Sequence, residues 1–313
     1  MTGKQLVGVL RDIAMLDLTP MSSPEDLAGI TLITDVAIVL VPEDLMAAVM
    51  RIPMDDVAMV VPIPDGAEVR QHTGAMVMGG EALGGPETDG SVLVVTGTLI
   101  LTSPVPKVTY RQIIVLGMVL APKGSEAALG AGLTRVTGGV DYYPYAEGQD
   151  VTVSTGQVRA GGEMLANPAG TPDDVLVIAG QLIVTGPVTT VGYKRIVVAG
   201  QVMAPRESQH VLGPVTIVKG QLTWYSGVPR FFVGKERFGR SFFELIGDPM
   251  ALALVGRFEI DAGVPAELLR EKVSEITLIG KLVAPRELVG ALQLLTTEMT
   301  GEIAVAEDDA EPR

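Results

Sequence analysis

Chemistry needs nucleophiles, metal ligands or paired titratable groups, and this chain of 313 residues supplies few of them. It has no cysteine, which excludes a disulfide framework, a thiolate zinc site and a cysteine nucleophile. Its two histidines, His72 and His210, stand beside loop-like residues in different parts of the chain and read as surface groups. Ser208 and His210 could begin a Ser-His-Asp arrangement, but they share one short segment and nothing specifies the third member. The pairs Asp55-Asp56 and Asp173-Asp174 each precede an apolar run. Adjacent residues on an extended chain point to opposite faces, so solvated turns account for them better than calcium binding or acid–base work. There is no GxxxxGKS/T loop and no GxGxxG leading into a helix. The expectation is a chain with no catalytic residue, no metal site and no cofactor, and hence not an enzyme.

Recognition chemistry is easier to find. Residues 223–243 contain the single tryptophan and five of the six phenylalanines, interleaved with Arg230, Lys235, Arg237 and Arg240. Trp, Tyr, Phe and Arg are the residue types that anchor interfaces. Trp224, Tyr225, Arg230, Phe231, Phe232, Phe238, Phe242 and Phe243 are therefore candidate partner-binding residues. Tyr142 and Tyr143 join them, because they occupy the equivalent place one repeat earlier. The competing reading is a local excursion that uses large rings as its own small core. Sugar stacking on Trp224 or Tyr142 belongs to a third reading, a carbohydrate-active β-helix enzyme. Nucleic acid is disfavoured, since a net charge of −14 opposes phosphate.

What must position these groups is a repeat. Val92 to Pro122 and Val175 to Pro205 are equal in length and identical at 17 of 31 positions. A looser copy runs from Leu254 to Pro285, with four extra residues between its glycines. Gly97 and Gly117, Gly180 and Gly200, and Gly200 and Gly220 all stand twenty apart. That period suits one coil of a β-helix, with glycine where a side chain would obstruct the next coil. Asp35 occupies the glycine place in the run Ile30 to Val41. Proline followed by an acidic residue, at Pro24, Pro42, Pro205, Pro265 and Pro285, predicts short outer helices.

The fold expected is mainly β: a β-solenoid of about 20-residue rungs, some carrying short outer helices. It reads as a single elongated body over residues 21–305, in blocks 21–90, 91–170, 171–250 and 251–305. Residues 1–20 are predicted to form a capping helix, because Leu6, Val9, Leu10, Ile13 and Leu16 share one helical face. Residues 306–313 read as an acidic disordered tail. Apolar residues make up 47% of the chain and mean hydropathy is +0.38, yet no run of about eighteen apolar residues is uninterrupted. With neither a transmembrane segment nor a signal peptide in view, the cytoplasm is the expected location.

The V-x-V-x-G-x-V pattern, as in Val175-Leu176-Val177-Ile178-Ala179-Gly180-Gln181-Leu182, resembles the bactofilins. The resemblance implies a bacterial, cytoskeleton-like β-helix that polymerises end to end without nucleotide. The helical turns look more like those of leucine-rich repeats, whose asparagine ladder this chain lacks, Asn167 being its only asparagine. The leading expectation is a non-enzymatic structural protein that associates with itself, as homo-oligomer or polymer, or scaffolds another protein.

Overall fold

The computed structural model describes residues 7–306. Strands dominate, and every recorded pairing between neighbouring strands is parallel. The chain divides into two compact units, residues 1–119 with 124–140, and residues 120–123 with 141–313.

The first unit opens with β1 (Gly8–Asp17), β2 (Ile30–Pro42), β3 (Met54–Val57) and β4 (Val60–Ile63) in one sheet, where β3 and β4 pair in turn along β2. A 3-10 turn (Pro24–Leu27) and α1 (Met46–Val49) form its crossovers. The predicted capping helix is a correction, because Gly8–Asp17 is a strand and residues 1–6 lie outside the described residues. The cause is a spacing of three. Asp12, Asp35 and Asp56 adopt φ of 57°, 53° and 50°, so each inserts one extra residue between inward side chains. Leu10 and Ile13 therefore both face the core, in register with Ile33 and Val36, and Leu16 joins them opposite Val39. Three-residue spacing imitates a helical face although the backbone is extended.

The second sheet of this unit contains β5 (Val69–Met78), β6 (Val92–Leu101), β7 (Gln112–Leu116) and β9 (Leu133–Val136), with α2 (Glu126–Gly132) before the last. Ile38, Leu40, Val61 and Ile63 of the first sheet form a core with Val92, Val94 and Ile114 of the second. Strands β8 (Val119–Pro122) and β10 (Val140–Tyr143) fall at the division between units.

The second unit holds two four-stranded sheets in sequential order. One is β11 (Val151–Ala160), β12 (Val175–Val184), β13 (Arg195–Pro205) and β14 (Thr216–Tyr225), crossed over by α3 (Gly162–Leu165) and α4 (Gln209–Leu212). The other is β15 (Arg230–Phe238), β16 (Met250–Ile260), β17 (Val273–Ala284) and β18 (Thr296–Val305). Its crossovers are α5 (Arg240–Glu244), α6 (Ala266–Lys272) and α7 (Arg286–Leu295). Proline at N-cap or N1 with a carboxylate in the first turn starts the helical segments at 24, 265 and 285, as the sequence predicts. The extra residues between Gly256 and Gly280 are absorbed by α6, since the two glycines remain in register.

Glycine marks the middle strands for a steric reason. A Cβ on Gly180, Gly200 or Gly220 would come within 2.0, 1.9 and 2.0 Å of the carbonyl oxygen of the glycine one strand earlier. All three also have φ above 140°, which L side chains rarely adopt. Gly256, Gly280 and Gly301 repeat the arrangement in the last sheet.

Candidate functional site

The aromatic stretch is divided between core and surface. Phe238 and Phe243 are buried with Phe258 under α5, α6 and α7, and Phe232 and Phe242 pack partly buried against them. Phe238 and Phe258 stack at 6.0 Å, and Phe242 meets Phe243 edge-on at 5.0 Å. Arg230 is exposed and lies over the Phe232 ring at 5.3 Å. Tyr225 is buried between the two sheets, edge-on to Phe231 at 5.3 Å, and its hydroxyl donates to the Val184 carbonyl at 2.7 Å. Burial pushes its pKa, and that of Tyr143, above the ordinary phenol range. Tyr143 is buried and Tyr142 half-buried. Trp224 is half-buried beside the α4 crossover, in an apolar slot with Leu212, Val218 and Leu222. Of the ten candidate partner residues, Tyr143, Tyr225, Phe238 and Phe243 are thus core, and the others reach the surface in part.

The remaining candidates have local partners. His72 Nε2 lies 3.2 Å from the Ala75 carbonyl, and His210 Nδ1 lies 2.9 Å from that of Glu207. Ser208 is buried, its hydroxyl accepting the Val188 N–H at 2.8 Å, as Ser125 accepts that of Val105 at 3.1 Å. It ties a crossover loop to the next coil and is not placed as a nucleophile. Asp173 pairs with Lys194 at 2.9 Å. Asp174 accepts from the Thr171 hydroxyl and amide and from the Asn167 carboxamide, which together hold its pKa below the usual carboxylate value. Among the described residues no group of three or more His, Asp or Glu could hold a metal ion, and no helix is long and apolar enough to cross a membrane.

The feature that sequence reasoning missed stands directly after the glycines. Gln157, Gln181, Gln201 and Gln221 are in register across β11 to β14. The first three each donate a carboxamide N–H to the next Oε1, at 2.8, 2.6 and 3.0 Å. The signal was a Gly-Gln dipeptide occurring at 156, 180, 200 and 220. In the last sheet the same place holds Lys235, Arg257, Lys281 and Glu302, and Lys281 pairs with Glu302 at 2.5 Å. Between the two sheets Gln181 and Gln201 face Gly234, Gly256 and Gly280 across a groove of about 390 Å³.

No family model, curated protein or solved structure matches this chain. The functional reading therefore rests on its own geometry.

The outermost strands β11, β14, β15 and β18 each have one edge with no strand partner among the described residues. Open edges of nine or ten residues present unpaired amides and carbonyls to any chain that can match them.

Proposed function

We propose that the protein is a non-enzymatic structural element, a set of short β-solenoids that associates with itself. The observation that carries this is the glutamine ladder. It is polar, in register and directional, and it stops at both sheet edges with hydrogen-bonding capacity left over. Ladders of stacked side-chain amides strengthen parallel in-register assemblies. The bactofilin resemblance agrees with such a role, and so does the local structural use of both histidines and Ser208. Negative-stain electron microscopy over a range of concentration and salt tests the reading. Filaments, tubes or sheets are expected, and discrete particles at every concentration would remove it.

A second reading, partner capture by residues 223–243, is favoured by Val228 within that stretch and Leu245 just beyond it, apolar side chains 89% and 87% exposed. Changing both to Ser should abolish capture of a second protein while leaving self-assembly intact.

A further inference from the structure

We propose that the occupant of the open edges is a second copy of this chain, stacked head to tail, so that β14 and β18 of one copy pair in parallel with β11 and β15 of the next. This rests on the self-associating reading and gives it an interface.

The two last strands sit at the same end of the second unit. β14 lies beside β18, and Arg206, which follows β13, pairs with Glu298 of β18 at 2.6 Å. One approach can therefore engage both sheets. In the first sheet the Gln221 Nε2 has no acceptor and the Gln157 Oε1 no donor among the described residues, so the ladder ends are complementary. Continuing the register sets Gln221 against Gln157 of the next copy and Leu222, 44% exposed, against its Val158. In the last sheet the same step sets Glu302 against Lys235 of the next copy, extending a charge column that already pairs internally at Lys281. Met299, 51% exposed, meets Phe232 there.

The glycines agree. On the second, third and fourth strands of each sheet a Cβ would strike the preceding glycine's carbonyl, whereas on Gly156 and Gly234 of the first strands it would meet nothing within 4 Å. Both first strands keep the residue that an approaching carbonyl requires. The contact joins different surfaces on the two copies, so it repeats without closing unless the rotation returns on itself.

The test uses the full chain, with light scattering and electron microscopy as readouts. Four strands at about 4.8 Å give an axial step of about 19 Å per copy. Glu302→Lys and Lys235→Glu each oppose like charges at every contact, and each should raise the concentration needed for assembly about tenfold. In an equimolar mixture a stack that alternates the two variants opposes unlike charges at every contact, and it should assemble within about twofold of the unchanged protein, as should the double variant. A misfolded variant could not be rescued by mixing. Single variants that assemble normally, a mixture and a double variant no better than the single variants, or an axial step unrelated to four strands would overturn this interface while leaving self-association standing. Absence of assembly by the unchanged protein would remove both.

Discussion

Gly200 stands one strand after Gly180, and a methyl group on Gly200 would lie 1.9 Å from the Gly180 carbonyl oxygen. Backbone cannot yield as the end of a flexible side chain can. Gly200→Ala should therefore destabilise the second unit by about 3 kcal/mol, read as a shift in the urea midpoint. Gly156→Ala at the open edge retains only the strain of a positive φ and should cost about 1 kcal/mol. Equal costs at the two positions would refute the steric account.

Asp12, Asp35 and Asp56 occupy one column, since Arg11 pairs with Thr34 and Thr34 with Asp55 on the residues just before them. Like charges opposed across strands are unfavourable. Asp35→Asn keeps a residue suited to φ of 53° and removes the central charge. It should stabilise the fold at low salt by about 0.5 kcal/mol, read as a higher thermal midpoint, and the gain should vanish near 1 M salt, where screening is nearly complete.

Asp174 is held ionised by Thr171 and Asn167, so its folded pKa lies below its unfolded one. The unfolded chain then binds the proton more readily. Its contribution to stability is present above the unfolded pKa and is lost as pH falls through the folded one. Asp174→Asn should flatten the acid limb of stability against pH below about 4 and leave the neutral limb's slope unchanged. An unaltered acid limb would count against this assignment.

Tyr225→Phe removes a buried hydroxyl and leaves the Val184 carbonyl without that donor. A loss of about 1 kcal/mol is expected by denaturation. Phe243→Ala, at the centre of the last sheet's core, should cost about 3–5 kcal/mol. A Phe243→Ala variant that is fully stable would return that ring to the list of contact residues.

Much of this architecture was legible in the chain. The repeat, its glycine period and the proline-acid helix starts each have a strong local cause, and Asp35, read as standing in the glycine place, takes a positive φ of 53°. The N-terminal strand was misread because Asp12 in the left-handed region sets Leu10 and Ile13 three apart on one face, and a sequence pattern carries no φ. At the aromatic stretch, composition alone cannot separate an interface from a core. Whether Phe238 and Phe243 face solvent depends on helices α5 to α7 folding over them. The glutamine column was visible as a recurring dipeptide, yet its directionality exists only once strands from distant segments lie side by side.

The crossover between Gly256 and Gly280 carries four more residues than that between Gly180 and Gly200, while both pairs stay aligned. Insertions are thus confined to the helical flank, and the strand side keeps one fixed step. A foreign peptide grafted between Ala262 and Gly263, both exposed, would lengthen that flank without shifting the strand register, so the flank is the place for tags, labels and engineered cargo.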